Sequence, residues 1–159
     1  MTFKRAVTQT PNLGTAWQPG LQALRAEDKP HIKVEDPREE HLRGSADIDT
    51  ALQPHEPQAN RWDFAVGYQH TNRRNEVIYW IETHTGSDNQ IKVVLKKLAW
   101  LQTWMRRDGK QLANFERDIV WVSSGHTLFT KGSKQVKELA QKGLIYSGAI
   151  LRILNDRRS

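Results

Sequence analysis

Asp63, Glu82 and His84 form the set of side chains in this sequence best suited to chemistry. Glu82 and His84 are two apart, so on a strand their side chains leave the same face. Asp63 stands at the head of a stretch in which Trp62, Phe64, Val66 and Tyr68 alternate with Asp63, Ala65 and Gly67, a strand period. Val77, Ile78, Tyr79, Trp80 and Ile81 are β-branched or aromatic and predict a second strand. The polar residues 69–75 between them predict an antiparallel hairpin. A turn centred between Arg73 and Arg74 sets Asp63 opposite His84 and diagonal to Glu82. An even-length loop keeps Asp63 on their face, whereas a bulge changes the parity. Cross-strand neighbours of this kind lie about 5–8 Å apart. Two carboxylates and an imidazole then converge at the open end of the hairpin. Carboxylates so placed can hold a hard divalent cation such as Mg²⁺. Such a cation activates a water and offsets charge building on a phosphate. The same residues have a purely structural reading: Asp63 pairs with Arg61 or caps its strand, while Glu82 and His84 face solvent at a sheet edge.

The elements that must hold this cluster follow from the flanking pattern. Ser87 and Gln90 have the spacing of a capping box. Ile91, Val94, Leu95, Leu98, Leu101 and Met105 repeat at helical spacing. Arg106 and Arg107 suit the negative end of that helix, and Gly109 can stop it. Ile119, Val120, Trp121 and Val122 are a short apolar run, read as a buried strand. Ser133 caps a second helix that runs to Lys142 and is closed by Gly143. Residues 144–154 predict a last strand, interrupted at Gly148. Before the hairpin the signals are thinner. Residues 1–19 read as a loose lead-in, with Trp17 docking it onto the core. Residues 20–26 predict a short helix, 37–43 one turn of helix ending at Gly44, 46–53 a first strand, and 54–60 a loop. A helix between two strands implies a crossover. The expected fold is thus α/β (α+β): a mixed β-sheet with a central antiparallel hairpin flanked by helices, in one domain over 20–159.

Composition narrows the classes. The chain has 159 residues, 37% hydrophobic and 26% charged, which suits one domain with one core. It has no cysteine, so disulfides, thiolate zinc sites and a cysteine nucleophile are excluded. This fits a cytoplasmic setting. No run reaches the roughly 18 apolar residues of a membrane helix, and no apolar stretch follows Lys4 and Arg5 to make a secretory signal. The six histidines include no paired zinc spacing, the glycines form no phosphate-binding loop, and Ser124 lacks a nucleophile-elbow setting. The net charge is +6, unevenly spread. Residues 27–56 carry nine acidic side chains against four Lys or Arg, and residues 57–159 carry nine against seventeen. A basic C-terminal part favours a polyanion, nucleic acid first. The bland alternative is a solvated basic surface.

Asp63, then Glu82, Thr83 and His84 on the next strand, then a helix and a strand, resembles the PD-(D/E)XK, or restriction-endonuclease-like, superfamily. The wider stretch from about Trp17 also resembles an uncharacterised bacterial family with that core. The likeness rests on Gly20 to Leu24, Gly44 to Asp49, Arg61 to Asp63, and Val120 to Gly125. The resemblance implies a restriction-endonuclease-like core and a metal-dependent nuclease. Asp63 and Glu82 would be ligands of Mg²⁺ or Mn²⁺, with the Thr83 carbonyl as a third. His84 stands where the superfamily usually has Lys. A neutral imidazole is no dependable cation near pH 7. Lys96, or its neighbours Lys92 and Lys97, would supply the charge from the following helix. Arg73, Arg74, Lys92 and Lys97 are the expected phosphate contacts. Asp47, Asp49, Glu39 and Glu40 are weaker carboxylate candidates, each with a surface or turn reading. Two other readings compete: a catalytically inactive nucleic-acid-binding module on this fold, and an assembly protein, a homodimer over the face of Trp100 and Trp104.

Overall fold

The computed structural model describes residues 1–125, 129–130 and 132–158. In chain order the elements are α1 (Phe3–Gln9), β1 (Trp17–Gln18), a 3₁₀ turn (Lys29–His31), β2 (Ile32–Val34), β3 (Leu42–Asp47), α2 (Ile48–Leu52), β4 (Phe64–Tyr68) and β5 (Val77–Thr85). They continue with α3 (Asp88–Arg107), α4 (Lys110–Ala113), β6 (Glu116–Ser124), α5 (Lys134–Gln141), β7 (Ile145–Gly148) and β8 (Leu151–Ile153). Six strands form one sheet in the order β1-β3-β4-β5-β6-β7, and β2 pairs with β8 apart from it. The pairs from β1 to β5 are antiparallel, and β6 and β7 join in parallel. The chain is therefore an α+β protein with a mixed sheet. Among the described residues no helix is long and apolar enough to cross a membrane.

Strand alternation sorts the core into two layers. Ala65, Ile78, Trp80, Ile119 and Trp121 pack with the helices, receiving Phe3 and Val7 of α1, Ile48 of α2, Val94, Leu98 and Trp104 of α3, and Leu139 of α5. Phe64, Val66, Tyr79, Ile81, Val120 and Val122 face the other way, onto Leu24, Ile32, Leu151 and Ile153. The central strands are thus buried on both faces.

The hairpin forms with a shifted register. Phe64 pairs with Ile81 and Tyr68 with Val77. The turn centre lies one residue earlier than expected, between Asn72 and Arg73. Parity is preserved, but Asp63 continues the ladder opposite Glu82 and not His84.

The N-terminal third departs most from expectation. Residues 1–19 are not a loose lead-in over their first half. Thr2 caps α1, its side chain accepting from Arg5 N, and Phe3, Ala6 and Val7 are fully buried. Gly67 of β4 makes room for this helix, since a Cβ there would meet Phe3 Cγ at 2.4 Å. Short length hid the helix: seven residues show barely two turns of periodicity. Residues 20–26 form turns and not a helix, and 37–43 run through a turn into β3. The strand expected over 46–53 ends at Asp47, whose side chain caps α2 by accepting from Thr50 N at 2.9 Å. The strand expected over 144–154 becomes two strands in different sheets, divided after Gly148, which has φ 76°. Ser87 precedes α3 without a side-chain cap; Gln90 turns its amide to His84 instead.

Candidate active site at the open end of the hairpin

Asp63 is fixed from both its backbone and its carboxylate. Its carbonyl accepts from Ile48 N at 3.0 Å and Asp49 N at 3.3 Å, in the first turn of α2. Its Oδ2 accepts from Thr83 N at 3.1 Å and Thr83 Oγ1 at 3.2 Å. β4 begins at Phe64, so the Asp63 side chain bonds the Thr83 N–H just where the β4 ladder gives out. Glu82 Oε1 accepts from Asp63 N at 3.2 Å. The two carboxylates therefore cross: each residue's side chain bonds the backbone of the other's neighbourhood. Both are buried, Glu82 completely.

Lys97 of α3 reaches this pair. Its Nζ hydrogen-bonds Glu82 Oε2 and lies 3.7 Å from Asp63 Oδ1. Burial, followed by the Asp63 charge, pushes the Glu82 carboxyl well above its ordinary range, and Lys97 offsets part of this. Burial alone would depress the Lys97 ammonium, but Glu82 and Asp63 outweigh it and hold its pKa above normal. His84 stands beside them, Nδ1 3.8 Å from Glu82 Oε2 and Nε2 bonded to Gln90 Oε1. Trp121 Nε1 donates to the His84 carbonyl at 3.0 Å, tying this strand end to β6. Arg25, from the 21–28 turns, closes the cluster on the other side of the sheet. Its Nη2 donates to Asp63 Oδ2 at 3.4 Å and Thr83 Oγ1 at 3.3 Å.

Of the expected site residues, Asp63, Glu82 and His84 come together. Lys96 does not: it is exposed on α3, and Lys97, one residue on, takes the place beside the carboxylates. Lys97 points inward because Val94, Leu98 and Leu101 bury that side of α3, with Lys97 three residues past Val94. Lys97 is thus an ion-pair partner and no free phosphate contact. Lys92 is exposed near the start of the same helix. Arg73 and Arg74 lie at the far end of β5, which from Val77 to Glu82 spans roughly 17 Å at strand rise. Arg73 is bound to Glu116 there, and both line a cleft with Gln111 and Phe115. Asp47 caps α2, and Asp49 bonds Arg61 at 2.8 Å. Glu39 and Glu40 precede β3 at its Leu42 end, whereas Asp47 at its other end adjoins Phe64. Trp104 is core against Trp80, and Trp100 stacks on it at 5.8 Å.

Sequence reading missed Arg25. A charged residue in a polar turn gives no signal of its own, and only the return of this turn to the sheet end brings it to Asp63.

The donor chemistry suits a hard cation. Asp63 Oδ1 and Glu82 Oε2 face the same ammonium, and one or two carboxylates completed by water and substrate oxygens are the usual protein share of a Mg²⁺ site. Among the described residues no group of three or more His, Asp or Glu gathers as a ready-made cation cage. The chain is thus an α+β protein in which two buried carboxylates and a helix lysine meet at the open end of an antiparallel hairpin. No family model, curated protein or solved structure matches the chain.

Proposed function

We propose that this protein is a metal-dependent nuclease-like enzyme on a restriction-endonuclease-like core, acting on nucleic-acid phosphodiesters. The observation that carries the reading is the convergence of Asp63, Glu82 and Lys97 near the carboxyl end of β5, where β5 also pairs in parallel with β6. In open sheets with parallel strands, ligands bind at such ends. Lys97 answers the departure noted at His84: the cation of the PD-(D/E)XK pattern comes from α3. Asp63 and Glu82 would hold Mg²⁺ or Mn²⁺, which when bound lowers the pKa of a water and offsets charge on the phosphate. Lys97 holds a positive charge against both carboxylates and orients them. His84, kept in place by Gln90, presents Nδ1 to the same space. The net charge of +6 gathers the polyanion by counterion release.

One observation favours a second reading. The Lys97 ammonium already pairs with both carboxylates, as it would in a nucleic-acid-binding module that cuts nothing. A single experiment separates the two. Single- and double-stranded DNA and RNA are incubated with wild type and Asp63→Asn in Mg²⁺ and in Mn²⁺. Cleavage by wild type that falls at least 100-fold in Asp63→Asn supports the enzyme. Cleavage of none of the substrates, or undiminished cleavage by the variant, overturns it. Binding without cleavage selects the second reading.

A further inference from the structure

Asp63, Glu82 and Asp28, with exposed Glu27 3.8 Å from Arg25 Nε, place four carboxylates around the open end of the sheet. Such a site attracts a cation but repels a phosphate. Lys97 cannot offset this outward, because its ammonium is spent on Glu82 and is mostly covered. Arg25 differs on every point. Its side chain is 45% exposed, so it is the outer of the two cations. Nε donates to Asp28 Oδ2 at 2.8 Å, and Asp28 is itself buried. The guanidinium carbon sits 5.1 Å from the centre of the Phe64 ring. Leu24 is buried in the layer beneath, and Ala23 N donates to Ser45 Oγ at 3.0 Å, so the turn carrying Arg25 is anchored on both strand and core. Nε and Nη2 are used, and among the described residues Nη1 has no hydrogen-bond partner. A guanidinium held over the Phe64 ring and by a buried carboxylate, with Nη1 open, can donate to one phosphate oxygen, and to a second once Nη2 leaves Asp63.

We propose that Arg25 is the phosphate-binding arm of this site, with Asp28 and Phe64 as its positioning residues. The inference deepens the proposed function and rests on it for the polyanion. The strand of nucleic acid would cross the end of β5, with one phosphate on Nη1 of Arg25 and the next toward the carboxylates. Arg25 also touches Asp63, so it competes with a metal for that carboxylate in the free protein and is released when phosphate arrives.

The test uses the full chain and variants Arg25→Gln and Arg25→Lys, with retained thermal midpoints as the folding check. Fluorescence anisotropy measures binding of labelled 20-nucleotide DNA and RNA in Ca²⁺ over a salt series, and calorimetry measures Mn²⁺ binding without nucleic acid. We expect Arg25→Gln to weaken oligonucleotide binding about tenfold and to flatten the slope of log K against log salt by about 0.7–0.9, the loss of one phosphate contact. Arg25→Lys keeps the slope and loses part of the affinity, since it keeps the charge without the fork. Mn²⁺ binding is unchanged or tighter in Arg25→Gln. An unchanged slope, or weakened Mn²⁺ binding at unchanged oligonucleotide affinity, overturns the proposal and leaves Arg25 as a support for Asp63. Wild type that binds but does not cut defeats the nuclease reading and leaves this one standing. Wild type that binds no oligonucleotide defeats this one.

Discussion

Replacing Lys97 by Met removes the cation that faces a completely buried carboxylate. Glu82 Oε2 has Lys97 as its hydrogen-bonding partner, and His84 Nδ1 is 3.8 Å away. Removing one partner of a buried pair typically costs about 3–5 kcal/mol, because the other charge is stranded. Glu82 has an escape, since burial and Asp63 already raise its pKa: it can take a proton. The cost is then set by protonating it at the working pH. A carboxyl whose folded pKa lies above the unfolded value of 4.5 is at no disadvantage below that pH. It loses stability as pH rises from there, by about 1.4 kcal/mol per unit until the folded pKa is passed. Wild type shares this loss, because its own Glu82 pKa is raised; the extra deficit of Lys97→Met is therefore smallest at acid pH and opens once the pH passes the wild-type folded pKa. At a urea dependence of about 2 kcal/mol per molar, the full cost lowers the unfolding midpoint by roughly 1.5–2.5 M. The double variant Glu82→Gln/Lys97→Met removes both charges. It should recover most of this loss, leaving about 1–2 kcal/mol for the missing hydrogen bonds. Urea titrations of the wild type, both single variants and the double at about pH 5 and pH 7.5 close the cycle. A midpoint for Lys97→Met that equals wild type at both pH values, or a double variant no better than the single, would show that Lys97 does not balance a buried Glu82 charge.

Two further perturbations test the frame around the site. Gly67→Ala drives a Cβ into Phe3, whose Cγ, Cδ2 and Cβ lie 2.4, 2.6 and 2.7 Å from its position; we expect a loss of about 1–3 kcal/mol in urea unfolding. Pairing it with Phe3→Ala should make the two changes non-additive, and a neutral Gly67→Ala would mean that α1 does not seat on β4. His70 is buried, its Nε2 2.8 Å from Tyr79 Oη and its Nδ1 3.3 Å from the Asn155 carbonyl. Burial, aided by Arg157 and Arg73, lowers its pKa from 6.5. Its contribution is thus complete above 6.5 and is lost as pH falls below that value, where the unfolded chain takes the proton first. The thermal midpoint of wild type should fall more steeply with acid than that of His70→Gln, and parallel curves would count against a buried neutral imidazole.

Much of the site was legible because a hairpin makes side-chain facing a matter of parity. Asp63, Glu82 and His84 share a face for any even loop, so the one-residue error in the turn centre changed which residues pair and left the cluster intact. The α3 stripe was legible for the same reason: Val94, Leu98, Leu101 and Met105 keep a helical period long enough to read. The boundary between Lys96 and Lys97 was not. Both flank the buried stripe, and which one turns inward depends on how α3 rotates over the sheet, a property of packing. The same limit hid Arg25 and α1. Short segments carry too little periodicity to declare themselves, and contacts such as Arg25 to Asp63 or Phe3 to Gly67 join residues more than thirty positions apart. The strand faces, the long helix and the pair of carboxylates depend on local period and residue type, and so can be read along the chain. Which cations meet those carboxylates cannot, because distant elements make that choice as they close over the end of one sheet.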